Sequence, residues 1–338
     1  MATARATSTG RKLRVRIVCP APPGSRAGNR ITALRWRAVL RALGHRVIIA
    51  EGLGSNTDAL IVALHARRSS AAITRSRELA PARPIVVALT GTDLYRDVGR
   101  SRAAQRSLVT ADRLIVLHER GALDLPRALR AKVRHVPQSA PRLTRRRGRR
   151  TTGPLRIVVV GHLRAEKDPM RTARAVRALP PSVEVSVVHV GRALDERMRA
   201  AAEREMARNP RYRWVGERST GATRRTIAEA DLLVLTSRIE GGANVLSEAI
   251  AADVPVLASR IPSTIGVLGA EHPGYFPVGD TRALAALIGR AARDAGFLRQ
   301  LRAAGATRRA SLSPARERSA WRALIAELFR SPQRSGVG

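Results

Sequence analysis

The chain has 338 residues, 44% of them hydrophobic, enough for about two domains of ~150 residues with ordinary cores. It has no run of 18 apolar residues and its start, MATARATSTGRKLR, has no apolar h-region, so neither a transmembrane helix nor a secretory signal is expected and the expected location is the cytoplasm. The net charge of +36 invites a nucleic-acid reading, yet lysine occurs only at Lys12, Lys132 and Lys167, arginine is spread along the whole chain, and aromatic residues make up 3%, too few for base-stacking platforms. No specific nucleic-acid partner is expected; a basic cleft attracts small anions instead.

In chain order, residues 1–12 read as a disordered basic tail. Apolar runs of strand length follow at 13–19, 46–50, 59–64, 85–89, 113–117 and 133–137, separated by helix patterns such as ITALRWRAVLRALG (31–44), which ends on a glycine. Apolar strands alternating with helices predict a parallel sheet covered on both faces, an α/β domain over 13–140. Cys19, the single cysteine, lies in the run VRIVC and reads as a buried strand thiol. The first strand leads into a Pro/Gly-rich loop with Gly28, Asn29 and Arg30 near the start of a helix, either a plain strand–helix turn or a loop that presents amides to an anion. The fourth strand runs into Thr90, Gly91, Thr92 and Asp93. Asp93 is read there as a helix N-cap or as a catalytic or acceptor-binding carboxylate. His118 ends the fifth strand, as a surface residue or facing the cleft.

Residues 141–154, PRLTRRRGRRTTGP, are the expected linker. The alternation then restarts, with strands predicted at 155–161, 183–191, 212–216, 231–237 and 254–259 and a nearly all-helical tail from Arg282 to Arg330. Two segments carry the chemistry. In VVVGHLRAEKDP, Gly161 ends a strand and Arg164 and Lys167 precede a helix pattern, so two cations and helix N-terminal amides are expected to form a diphosphate site. In SRIEGGANVLSE, Glu240 and Glu248 flank a glycine pair, Gly241 and Gly242, between a buried strand and a helix. That is the kind of strand-end turn where open α/β sheets bind ligands. No Asp-x-Asp segment stands at a strand end and the seven histidines show no ligand spacing, so catalysis without a metal is expected.

Gly161-x-x-Arg164-x-x-Lys167, with Ser237-x-x-Glu240-Gly241 and Glu248 downstream, resembles the C-terminal domain of GT-B glycosyltransferases, in particular the large retaining family that includes sucrose-phosphate and mannosyl transferases. The resemblance implies two tandem Rossmann-like, doubly wound domains facing a cleft, at 13–140 and 155–312. A C-terminal helix at 313–330 would pack back on the first domain. It implies a UDP-sugar as co-substrate and no cofactor. Arg164 and Lys167 would hold the donor diphosphate, Glu240 the transferred sugar and Glu248 the ribose hydroxyls. Gly161, Gly241, Gly242, Asn244, Val245 and Leu246 would complete the donor site.

The segments GNRITALRW, ALTGTDLYRD, VPQSA, ASRI…GVLG and PGYFPVGD together resemble the selenosugar synthases of selenoneine biosynthesis, over nearly the whole chain from about Leu13. That family joins selenophosphate to the anomeric carbon of a UDP-sugar through a carbon–selenium bond. The resemblance implies a UDP-N-acetylglucosamine or UDP-glucose donor and selenophosphate as acceptor, held by Gly28, Asn29, Arg30, Thr90, Gly91, Thr92, Asp93 and His118. Asp93, Arg164, Lys167 and Glu240 would be the catalytic residues. One departure stands out: Pro262, Ser263 and Thr264 follow ASRI where a glycine–asparagine pair is expected. Transfer to a small oxygen or sulfur acceptor is the alternative.

Overall fold

The computed structural model describes residues 12–54, 57–143 and 153–330. The chain forms two compact units. The first takes the residues up to Leu117, Ala122–Val136 and the stretch from Ala315 on; the second takes His118–Gly121 and Pro137–Pro314. The expected basic tail, apart from Lys12, and the Arg-rich centre of the expected linker lie outside the described residues.

The first unit contains β1 (Arg14–Val18), α1 (Gly28–Ala42), β2 (Arg46–Ala50), β3 (Leu60–Leu64), α2 (Ser70–Leu79), β4 (Ile85–Ala88), a π-helical turn (Asp93–Asp97), α3 (Arg102–Thr110), β5 (Arg113–Val116) and β6 (Val133–His135). Its strands pair in the order β2-β1-β3-β4-β5-β6, every pair parallel. Both faces of the sheet are covered, which is why β3 and β4 are unbroken apolar runs rather than alternating ones. Side chains on successive residues go to opposite faces. Val15, Ile17 and Val62 pack with Trp36 and Leu40 of α1, while Ile61, Ala63, Ile85 and Val87 pack with Leu108 of α3. Helix α1 opens at Gly28, three residues before the helix pattern read from the sequence, and closes on Gly44, whose φ of +91° and N–H bond to the Arg41 carbonyl form a glycine C-terminal cap.

The second unit contains β7 (Leu155–Val160), α4 (Arg171–Arg177), β8 (Val185–Val190), α5 (Glu196–Arg208), β9 (Tyr212–Trp214), α6 (Thr220–Glu229), β10 (Leu232–Leu235), α7 (Asn244–Ala251), β11 (Val256–Ser259), α8 (Pro262–Leu268), β12 (Tyr275–Phe276), α9 (Thr281–Arg293) and α10 (Ala295–Thr307). Its strands pair in the order β12-β11-β10-β7-β8-β9, again all parallel. The chain therefore has the two Rossmann-like sheets of a GT-B protein. The residues that depart from the family pattern start a helix. Pro262 opens α8, a position that needs no N–H, and the Thr264 hydroxyl donates to the carbonyl of Ser259 at 2.7 Å. Asp294 splits the helical tail by capping α10, accepting from the Phe297 N–H at 3.0 Å.

The last helix, α11 (Pro314–Leu328), belongs to the first unit from Ala315 on. Trp321 meets Trp36 edge to face with ring centroids 4.9 Å apart. Glu317, fully buried, accepts from Trp36 Nε1 at 2.9 Å and Arg35 Nε at 3.1 Å. Glu327 takes Arg113 and Arg134, which hold its carboxyl down at about 2. Removing one partner of a buried charged network leaves the rest uncompensated. Glu317→Ala is therefore expected to lower unfolding free energy by about 3 kcal/mol in urea denaturation, with Arg75→Ala, whose exposed ion pair to Glu78 joins neighbouring turns of α2, near neutral as control.

Candidate active site

In a doubly wound sheet, the strands on either side of the reversal in order send their following loops in opposite directions and leave a crevice between them. In the second unit that reversal falls between β7 and β10. The two motif segments leave these two strands, so residues about 73 positions apart meet at the carboxyl edge of one sheet.

The segment after β7 is fixed by its backbone. Gly161 donates to the Val190 carbonyl at 2.9 Å, a short 3-10 turn covers Ala165–Lys167, and Asp168 adopts a left-handed conformation with φ of +44°. The carboxylate of Asp168 accepts from Arg171 Nε at 3.0 Å. The Thr236 hydroxyl, just past β10, faces the carbonyls of both Lys167 and Asp168 at 2.9 and 3.0 Å, and the Arg238 N–H donates to the Glu166 carbonyl at 2.8 Å. Laced in this way, the two segments bring Lys167 Nζ into a close ion pair with Glu240 Oε1, which also accepts from the Ser237 hydroxyl at 2.6 Å. The Ser259 hydroxyl in turn holds the Ser237 carbonyl. Arg164 stands at the start of the turn, partly exposed, with its guanidinium 3.9 Å from Glu166.

Past the glycine pair, Ala243 is left-handed with φ of +46° and α7 begins at Asn244. One turn on, Glu248 pairs with Arg224 at 3.1 Å. Val245 and Leu246 turn into the apolar core, and the Leu246 N–H is taken by the Ala243 carbonyl at 2.8 Å. The side chains of these two residues anchor the helix in the core. Helix α4 starts at Arg171, four residues after Lys167, so the two cations precede it, as the sequence pattern has them, and Lys167 sits on the short 3-10 turn that leads into it.

Gly161 is also closely approached by a second glycine. Gly191, at the end of β8, lies flat on the Gly161–His162 peptide, and a Cβ there would stand 1.9 Å from the Gly161 carbonyl oxygen. Trp214 Nε1 donates to the Gly191 carbonyl at 2.7 Å and keeps it there. Behind the turn, His189 is buried between Tyr212 and Gly161, and loss of hydration pushes its imidazole down to about 4. The sequence reading missed His189; its only signal is a histidine in the buried-strand run SVVHVG.

The first unit places its expected residues at the carboxyl edge of its own sheet. Gly28, Asn29 and Arg30 form the first residues of α1, with Arg30 beside the Cys19 sulfur. Cys19 is a buried thiol that donates to the Ala21 carbonyl; burial pushes it up, as a strand thiol is expected to behave. Thr90 and Thr92 are half-buried and Gly91 has φ of +136°. Asp93 is not the helix N-cap that one reading of it offered. It caps no helix that follows and is fully buried, its carboxylate accepting from the backbone N–H groups of Thr90 and Gly91 at 2.9 Å each and of Ala66 at 3.1 Å. It orders the loop. His65, at the end of β3, was also missed. It sits at φ of +75°, uncommon for a residue other than glycine, with Nε2 3.2 Å from the Thr92 hydroxyl.

For His118 the surface reading is corrected. It lies in the second unit, buried rather than on the surface, with its ring against Gly266 of α8, where a Cβ would come within 2.5 Å of Nδ1. The donor-motif residues are thus gathered at one sheet edge, while the residues named for the acceptor are divided between the two units.

Residues 142–308 match the family model described as glycosyl transferases, group 1, so the second half of the chain is a glycosyltransferase domain of that group and the protein is a glycosyltransferase. Comparison with curated protein sequences gives no match. Among solved structures, the chain is similar to the sucrose-phosphate synthase of Thermosynechococcus elongatus, with 17% identity and a TM-score of 0.74 over 94% of this chain and 99% of that one. It is similar to HepE of Anabaena in complex with UDP and glucose, with 15% identity and a TM-score of 0.71 over 93% and 100%. An α,α-trehalose-phosphate synthase (UDP-forming) from Burkholderia vietnamiensis gives 15% identity and 0.65 over 90% and 80%. At these identities the likeness is one of fold.

Two predictions follow from the packing behind Gly161. Gly191→Ala must displace backbone and is expected to cost about 2 kcal/mol or more in urea denaturation, with no such loss for Gly99→Ala, where a Cβ meets open space. His189 is neutral when folded and takes up a proton more readily when unfolded, so its contribution is present above about pH 6.5 and is lost as pH falls toward 4. The native protein should lose about 3 kcal/mol more stability over that interval than His189→Gln does.

Proposed function

We propose that the protein transfers N-acetylglucosamine or glucose from the UDP-sugar to selenophosphate, in the cytoplasm and without a metal, acting as a selenosugar synthase. The observation that carries the donor half is Lys167 held against Glu240 at the switch point of the second sheet. UDP and glucose bound to HepE, a structure of the same fold, support that reading. In the reaction the bond between the anomeric carbon and the UDP oxygen breaks, and its electron pair passes to the diphosphate. Lys167 and Arg164 stabilise that developing charge. Glu240 contacts the sugar and Glu248, one turn into α7, the ribose hydroxyls. A selenium lone pair forms the new bond to carbon, and no oxidation state changes.

The acceptor half rests on the resemblance of the first-unit segments and on the chemistry of Asp93. An alcohol acceptor needs a base to remove its proton. Asp93, the carboxylate in the loop proposed for the acceptor, is sealed from solvent by three N–H donors. Selenophosphate brings an anionic nucleophile and needs donors and cations for its phosphoryl oxygens, which Arg30, Thr90 and Thr92 can supply.

The test is UDP release from UDP-N-acetylglucosamine and UDP-glucose, with and without enzymatically generated selenophosphate, and mass spectrometry of the product. A sugar with the selenium isotope pattern is the expected result; turnover on alcohols or thiols with none on selenophosphate would overturn it. Within the donor site, Lys167→Ala and Arg164→Ala are expected to lower kcat at least tenfold, whereas Glu248→Ala mainly raises the donor KM, as steady-state kinetics will show.

A further inference from the structure

We propose that His189, backed by Tyr212, is a positioning residue that sets the orientation of the Gly161–His162 peptide and so aims the His162 N–H at the donor diphosphate; this rests on the donor-site reading above. The argument begins with hydrogen-bond polarity. His189 is buried, with Nε2 3.1 Å from the Gly161 carbonyl and Nδ1 2.9 Å from the Tyr212 hydroxyl. A carbonyl oxygen only accepts, so Nε2 carries the hydrogen. The neutral ring then has a lone pair on Nδ1, and the Tyr212 hydroxyl is its donor. Tyr212 thereby fixes which nitrogen of His189 faces the turn.

Peptide planarity carries the effect onward. The bond is trans, so the carbonyl of Gly161 and the N–H of His162 point in opposite directions. With the carbonyl drawn toward His189 on β8, the N–H is turned away from β8. β7 stands between β8 and β10, and β10 is the strand that leads into Ser237 and Glu240. The Lys167 stem packs on the same turn, its Cδ 3.6 Å from where a Gly161 Cβ would stand. Gly191 lies on the peptide's face and closes the space into which the peptide could rotate. A flipped peptide would put a carbonyl oxygen next to an anionic ligand and leave two acceptors facing each other at His189, so the orientation bears on affinity for the diphosphate rather than on the fold alone.

The test measures UDP affinity by calorimetry and thermal stability for the native protein, His189→Phe, His189→Gln, Tyr212→Phe and Lys167→Ala. His189→Phe removes the donor and is expected to weaken UDP binding at least tenfold. His189→Gln restores an N–H at the same reach and is expected to bring affinity back to within about threefold, and Tyr212→Phe to lie between them. Nitrogen-15 NMR of the native protein is expected to show His189 protonated at Nε2, a readout that does not depend on any variant folding. Native UDP affinity in folded His189→Phe, with Lys167→Ala weakened, would overturn this inference and leave the donor site standing. Protonation at Nδ1 would overturn it equally. Absence of UDP binding by the native protein, or full affinity in Lys167→Ala, would overturn the donor-site reading and this inference together.

Discussion

The site depends on the lacing of the segment after β7 to the segment after β10. One hydroxyl, Thr236, meets two successive carbonyls, and one amide, Arg238 N–H, meets a third. These contacts hold Lys167 beside Glu240, although Lys167 is on a flexible stem and Glu240 lies in a glycine-rich turn. The left-handed residues Asp168 and Ala243 mark where the two segments bend to make this approach. Backbone strain at such positions persists only where surrounding bonds over-determine it, and here they do.

The same principle explains the charge. Many arginines act as multi-donor clasps within the fold. Arg211 takes carbonyls at Val176, Leu179, Pro180 and Pro181; Arg77 takes Pro81, Thr110 and Asp112; Arg113 and Arg134 share Glu327. A planar guanidinium with five donors suits this use better than an ammonium group does. The +36 charge is therefore in good part structural, in keeping with its even spread along the chain.

Much of the fold was legible because both sheets are parallel and covered on both faces, so strands such as β3, β4 and β10 appear as unbroken apolar runs of strand length. β12 was not, being two residues within a Pro/Gly-rich turn. The donor motif was legible because its spacing is carried by few residues of unusual type. What could not be read is which polar side chains face inward. Asp93, His65, His118 and His189 all sit at strand ends or in strands, and only the three-dimensional partners distinguish a buried loop-orderer from a ligand contact. Leu246 shows the converse: it stands within the motif, yet the helix that carries the motif also has to anchor itself in the core.

A crystal structure of the protein with UDP tests the central claim most directly. The account predicts the diphosphate at the carboxyl edge of the second sheet, within hydrogen-bond distance of Lys167 Nζ, with Lys167 drawn off Glu240 and the ribose at Glu248. UDP seated elsewhere, with the Lys167–Glu240 pair left closed, would contradict it.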